Sequence, residues 1–204
     1  MENQDKKRIL IIEAALKRFA HYGLAKTTMT EIAKDISFSK ALLYYYFPDK
    51  LSLYVSAIEH LMQIISRDLV KSIDKTKTAS EGMLKLLQKR QAFIQKYYNI
   101  LESSQIIGNE LPENLAEKFH KARTFETIII GSLFSRGVAS KEFFMSDTKL
   151  ATEIFIDALS GIHFNILSKD KSMFPGKEQF KLIFQKEKMF ADIFLEGLKA
   201  KPQT

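Results

Sequence analysis

Apolar residues along this chain recur at three- and four-residue intervals, the period of an α-helix, and no stretch alternates as a half-buried strand does. The first segment, Lys6 to Tyr22, gathers Ile12, Ala15, Leu16 and Phe19 on one face and leaves Lys17 and Arg18 off it. Gly23 follows, placed to close the helix in the left-handed conformation. A second, shorter segment carries Met29, Ile32, Ala33 and Ile36, with Thr28 as N-cap and Glu31 three positions on, the pattern of a capping box. Ser37 and Phe38 interrupt the period, and Ser39 caps a third segment from Lys40 to Phe47. Pro48 stops that segment and Asp49 caps the next, Leu51 to about Ile73. The basic stretch Lys71 to Lys77 reads as a loop. Thr78 and Glu81 then open a helix to about Leu101 that carries Leu84, Leu87, Phe93, Ile94 and Tyr97. Gly108, Asn109 and Pro112 mark a break, short helices are expected to about Phe134, and a loop from Gly137 to Asp147. Two long segments close the chain, Thr148 to Ser168 and Lys177 to Lys199.

The third segment is too short to be stable alone in water, so it must lean on its neighbours. At about 100° per residue, Leu43 and Phe47 share its inner face while Ala41 and Tyr45 point directly away. Leu42 and Tyr44 flank the outer face, and Lys40 and Tyr46 are intermediate. A short helix with outward aromatics around a small Ala is shaped to be pressed against something. The first three segments pool Ile12, Ala15, Phe19, Ile32, Ile36, Phe38, Leu43 and Phe47 into one small core. This is a helix-turn-helix candidate whose second helix fits a major groove.

The last two segments are apolar on more than one side: Leu150, Ile154, Phe155, Leu159, Ile162 and Ile166, then Phe180, Ile183, Phe184, Phe190, Ile193 and Phe194. Twelve of the sixteen phenylalanines fall at or after Phe119, so this half must bury more than one face per helix. A second copy of the chain is a natural cover for the extra face.

Composition changes this picture little. With 204 residues, 46% of them hydrophobic, the chain can bury a real core. There is no cysteine, which excludes disulfides and thiolate metal sites and fits a reducing cytoplasm. The apolar run Ile9 to Ile12 is too short for a signal peptide, and no run approaches the roughly 18 residues of a membrane span, so a soluble cytoplasmic protein is expected. The formal charge of +7 invites a nucleic-acid partner, but residues 1–60 carry nine Lys/Arg against seven Asp/Glu. Charge alone therefore does not single out the N-terminal segment. No Gly-rich phosphate loop, nucleophile elbow or metal-ligand spacing appears, so neither an enzyme nor a cofactor is expected.

The stretch from Ile11 to Leu53 resembles the DNA-binding domain of the TetR-type transcriptional regulators. The residues that carry the likeness are Phe19-Ala20-x-x-Gly23, Thr27-Thr28-x-x-Glu31-Ile32-Ala33, Ser39-Lys40, Leu43-Tyr44-x-Tyr46-Phe47 and Lys50. The resemblance implies an all-α protein: a three-helix helix-turn-helix DNA-binding domain over residues 1–50, then a helical effector-binding and dimerisation domain over 51–204. It implies a ligand-responsive regulator, most often a repressor, that binds a palindromic operator in double-stranded DNA as a homodimer. The implied DNA contacts are Thr28, Thr30, Ser39, Lys40, Ala41, Leu42, Tyr44, Tyr45, Tyr46 and Lys50. Lys40, Ala41 and Leu42 would face base edges, and the tyrosines and Lys50 would hold phosphates.

Ser37 stands where this family usually has a turn glycine, Thr30 replaces a frequent Arg, and Ala41-Leu42 replace a common Gly-Thr pair. These departures leave fewer groups for direct readout, and a helical carrier with a degenerate DNA-binding head is the alternative. The resemblance also implies a small, largely apolar effector held in the C-terminal domain, with Phe93, Tyr97, Phe125, Ile129, Phe155, Leu159 and His163 as candidate lining residues. Plain core packing is the other reading of these seven, and His163 in particular fits a satisfied buried histidine.

Overall fold

In a computed structural model the described residues are 2–107, 113–168 and 176–199, and they form eight helices and no strand. In order these are α1 (Glu2–Tyr22), α2 (Met29–Asp35), α3 (Lys40–Tyr46), α4 (Lys50–Ile73), α5 (Ala79–Ile107), α6 (Glu113–Ala139), α7 (Thr148–Leu167) and α8 (Lys177–Leu198). The all-α expectation holds. The chain divides into two compact units, residues 1–66 with 93–120 and residues 67–92 with 121–204, so α4, α5 and α6 each pass from one unit into the other.

The first unit is built around the three short-range caps read from the sequence. Thr28 accepts from the Glu31 N–H at 3.3 Å while Glu31 Oε2 takes the Thr28 N–H at 2.9 Å, a reciprocal box that starts α2. Ser39 accepts from the Leu42 N–H at 3.1 Å and starts α3. Asp49 accepts from the Ser52 N–H at 2.6 Å and starts α4. Gly23 closes α1 with φ 74°. Ile11, Ile12, Ala15, Phe19, Ile32, Leu43 and Phe47 are buried together with Leu53, Tyr54, Ile58 and Leu61 from α4; Ile36 and Phe38 pack against them half-buried. Tyr54 sits edge-on to Phe19, ring centroids 5.2 Å apart, and its hydroxyl donates to the Ile100 carbonyl at 2.6 Å. Burial raises the Tyr54 phenol above its ordinary value and keeps it neutral.

The second unit packs α7 against α8 around an aromatic stack of Phe134, Phe155, Phe190 and Phe194, with centroids 5.3 to 6.0 Å apart. Thr78 caps α5 by accepting from the Glu81 N–H at 3.1 Å, though Glu81 reaches back to the Lys77 N–H rather than to Thr78 itself. A more distant carboxylate completes that helix start: Glu142 accepts from Ala79 and Ser80 N–H at 2.6 and 2.9 Å. Burial pushes Glu142 upward, but its hydrogen bonds from Ser80 and Ala79 outweigh it and hold the carboxyl below the usual range.

Two expectations are corrected. The short helices expected before Phe134 are one helix, α6, of 27 residues. Glycines at 131 and 137 each weaken a helix by about 1 kcal/mol relative to Ala, but the burial of Ile130, Leu133 and Phe134 outweighs them. Helix α5 continues past Leu101 to Ile107 through a local break at Tyr97, whose φ of −116° and ψ of 19° leave the helical region. The break expected at Gly108 to Pro112 and the separator at Asp170 and Pro175 lie outside the described residues. Helix α7 is long and apolar enough to cross a membrane by length and composition, but it buries Ala151, Phe155, Ile156 and Leu159 against this unit, as a core helix does.

Candidate nucleic-acid interface

The joint between α2 and α3 sets the direction in which α3 presents its side chains. Helix α2 ends with the Phe38 N–H bonding back to the Ala33 carbonyl at 2.9 Å and the Ser37 N–H to the Lys34 carbonyl at 3.1 Å. This is the paired-bond termination that requires a left-handed residue between, and Ser37 supplies it at φ 55°. The position where a glycine was expected thus does need the conformation glycine favours, and a serine occupies it. The turn then carries the half-buried Phe38 onto the core and releases the chain into α3.

A second set of contacts fixes α1 to α2. Arg18 grips Asp35 with both ends of its guanidinium, Nε to Oδ2 at 2.5 Å and Nη2 to Oδ1 at 2.9 Å, and approaches Glu31 at 3.4 Å. The Arg18 hydrogen bond holds the Asp35 carboxyl below its ordinary value, and the Thr28 hydroxyl does the same for Glu31. Asn99 donates to the carbonyls of Ala20 and His21 at 2.9 and 3.0 Å and so covers the open end of α1. None of Arg18, Asp35 and Asn99 was legible as a site residue, because their pairing is set by the fold and not by local spacing.

Framed in this way, α3 has two opposite sides. Leu43 is 0% and Phe47 2% exposed, whereas Tyr45 is 71% exposed and Ala41 faces solvent. Tyr44 is 43% exposed with the Lys40 ammonium over its ring at 5.6 Å. Leu42 is half-buried, and Tyr46 is half-buried against the core with its ring edge-on to Tyr45. Thr28, Thr30 and Ser39 are exposed, although the hydroxyls of Thr28 and Ser39 already serve as caps. Lys50 is placed differently from a free surface lysine. Its ammonium donates to the carbonyls of Leu24 at 2.8 Å and Thr27 at 3.0 Å, which leaves one of its three N–H donors for another acceptor.

A seven-residue helix is about 10 Å long and, with its side chains, about 10–12 Å wide, which matches a major groove about 12 Å across. Its outer side offers phenolic hydroxyls and an ammonium for phosphate or base edges, and Ala41 and part of Leu42 for a thymine methyl.

The seven candidate effector-lining residues do not fall in one unit. Phe93 and Tyr97 belong to the first, where their rings lie 5.4 Å apart and pack on the N-terminal core. Tyr97 there also borders an open groove with Leu16, Lys17, Ala20 and Lys96. Phe125, Ile129, Phe155, Leu159 and His163 belong to the second unit; Phe155 and Leu159 are buried and the other three half-buried. Sequence reasoning missed a polar cluster in that unit. Arg90 Nε meets Glu126 at 2.9 Å and its Nη1 contacts Glu187, which is fully buried. The signal was present: Glu187 stands four residues after Ile183 and four before Ala191, on the stripe that α8 buries.

Residues 11–57 match the family model for bacterial regulatory proteins of the tetR family. An uncharacterised HTH-type transcriptional regulator of Bacillus subtilis, YuxN, is 37% identical over 110 residues. That alignment takes in 52% of this chain and 35% of YuxN, so the chain spans about a third of that relative's length. A crystal structure of a transcriptional regulator from Cytophaga hutchinsonii superposes with a TM-score of 0.85 at 28% identity, covering 95% of this chain and 99% of that one. A putative transcriptional regulator from Saccharomonospora viridis, crystallised with choline, shares the fold at 16% identity and a TM-score of 0.75, covering 92% and 96% of the two chains. The capped helix pair, the outward tyrosines and these likenesses lead to one conclusion: residues 11–57 carry the N-terminal domain of the tetR family of bacterial regulatory proteins, and the chain as a whole shares the fold of solved transcriptional regulators.

Proposed function

We propose that this protein is a cytoplasmic, ligand-responsive transcriptional repressor that binds a palindromic operator as a homodimer. The observation that carries the reading is the opposition on α3 of Ala41 and Tyr45, outward, to Leu43 and Phe47, buried. In it, residues 1–50 bind DNA and residues 51–204 bind effector and dimerise. Lys40, Ala41 and Leu42 read base edges. Tyr44, Tyr45 and Tyr46, with Thr28, Thr30 and Ser39, set register on phosphates. Lys50 places its one remaining donor on a phosphate while holding the loop before α2.

Dimerisation is supported by the apolar side chains that α7 and α8 leave exposed: Leu150, Ile154 and Phe164, then Leu182, Met189 and Ile193. A second copy packing these helices into a four-helix bundle covers them and sets two recognition helices about 34–36 Å apart, one turn of DNA. The effector is small and largely apolar, and Phe125, Ile129, Phe155, Leu159 and His163 are the lining candidates that share a unit. Its binding favours a spacing of the two heads that no longer fits both half-sites, with a coupling of about 1–3 kcal/mol that is reciprocal, so that operator weakens effector binding.

Footprinting on the DNA flanking the protein's own gene, repeated over a salt series, tests this reading. Protection of a two-fold symmetric site, falling steeply with salt, is the expected result. Equal binding to unrelated DNA would favour a helical carrier with a degenerate head.

A further inference from the structure

In the second unit three helices bring charged groups into a buried place. Arg90 of α5 meets Glu126 of α6 and Glu187 of α8. His163 of α7 lies close enough to Arg90 to feel its charge. The guanidinium is half-buried, the Glu187 side chain fully buried, and the cluster holds one cation against two carboxylates. His163 does not restore the balance, because burial, then the Arg90 charge, push its imidazole down to about 4 and keep it neutral. With both carboxylates ionised, the cluster would hold one negative charge more than Arg90 balances. Burial also raises Glu187, and Arg90 only partly counters it.

Hydrogen bonding points the same way. Glu187 uses Oε1 on Arg90, and its Oε2, fully enclosed, has no partner among the described residues. Gln91, 9% exposed, spends its amide N–H on the Phe180 carbonyl and leaves Oε1 unpartnered; His163 Nδ1 is likewise unpartnered. Buried polar atoms without hydrogen-bond partners are rare in folded proteins because each forfeits its hydration. If the cluster only braced helices, Glu126 would already neutralise Arg90, and an apolar residue would pack better at position 187 than a second carboxylate. Aromatic residues stand beside the cluster: Phe190 follows Glu187 by one turn, with its ring 5.3 Å from Phe155.

We propose that Glu187, helped by Gln91 and His163, recognises the effector, and that the effector is an amphiphile with an apolar body and a protonated nitrogen that carries N–H donors. Such a head group supplies a positive charge and an N–H donor to Glu187 Oε2. The apolar body lies toward the phenylalanines. This rests on the effector-binding reading above and specifies its chemistry.

The test uses the full chain and calorimetric titration with 2-phenylethylamine and n-hexylamine. The neutral isostere 2-phenylethanol, phenylacetate and the trimethylammonium analogue of phenylethylamine are the comparisons. Both amines are expected to bind at least tenfold more tightly than the alcohol, the acid and the N–H-free cation. Glu187→Gln, which keeps the shape and an acceptor for Arg90, is expected to shrink the amine-to-alcohol ratio to within threefold. That ratio is insensitive to a general loss of stability. The proposal is overturned if no probe binds, if alcohol, acid or trimethylammonium match the amines, or if the preference survives in Glu187→Gln. Operator binding measured in the same preparations separates the two claims. Operator binding without amine preference sinks this inference alone, whereas amine preference without operator binding sinks the regulator reading and leaves the site.

Discussion

The ammonium of Lys50 lies 2.8 Å from the carbonyl oxygen of Leu24, so the first turn of α4 is tied to the loop that leads from α1 into α2. A second bond to Thr27 at 3.0 Å doubles the tie. Lys50→Met is therefore expected to weaken binding to every DNA sequence alike and to lower the melting temperature. Because most of its hydrogen-bonding capacity is already spent, the salt slope should fall by less than one unit. Lys40→Ala should behave differently, costing about 1–3 kcal/mol at one base pair and relaxing preference there. Binding isotherms over a salt series on operator and single-base variants give both quantities. Identical behaviour of the two variants would refute the division into a positioning and a reading lysine.

The left-handed Ser37 makes a second prediction. A non-glycine residue in that region costs about 1–2 kcal/mol, of which glycine returns part through its looser unfolded chain. Ser37→Gly is expected to stabilise the protein by roughly 0.5–1 kcal/mol and Ser37→Val to destabilise it by more, as urea unfolding would register. A Ser37→Val variant as stable as the parent would mean that the joint does not hold this conformation.

Gly137 makes room for a buried ring. A methyl group on it would overlap the Cδ2 and Cε2 atoms of Phe143, which is 2% exposed. Gly137→Ala should cost about 1–3 kcal/mol through overpacking, and combining it with Phe143→Leu should recover part of that loss. Strict additivity of the two changes in thermal unfolding would contradict the contact.

His163 adds a pH dependence of fixed sign. Burial, then the neighbouring Arg90, push its pKa from 6.5 down to about 4, so the unfolded chain takes up this proton before the folded one does. Its share of the stability is complete above pH 6.5, declines as pH falls from 6.5 towards 4, and levels off below that. The decline should stay under about 1.4 kcal/mol per pH unit, because solvent screens a half-buried ring. The difference in unfolding free energy between the parent and His163→Gln isolates this share. A difference independent of pH over that window would show that the imidazole titrates normally.

Much of the fold was legible because its information is local. Thr28, Ser39 and Asp49 announce helix starts with the residue types that cap them, and each does so in the structure. The inward Leu43 and outward Tyr45 followed from helical period alone. What escaped was set by partners far along the chain. Nothing near Lys50 signals the Leu24 carbonyl, and nothing near Arg18 signals Asp35. The single α6 was hidden because glycines at 131 and 137 weaken local propensity, while the burial that overrides them comes from the tertiary fold. Glu187 was readable as a carboxylate in an apolar register, but its significance appears only beside Arg90 and Glu126.

Helix α3 buries one side and exposes the other, and a pair of substitutions two residues apart tests whether the exposed side enters DNA. Tyr45→Ala removes a 71% exposed side chain, and Leu43→Ala a fully buried one. The predicted result is that Tyr45→Ala leaves unfolding free energy within about 0.5 kcal/mol of the parent yet weakens operator binding at least tenfold, while Leu43→Ala loses about 2–5 kcal/mol of stability. Operator affinity unchanged in a fully folded Tyr45→Ala protein would contradict the claim that this side of α3 enters DNA.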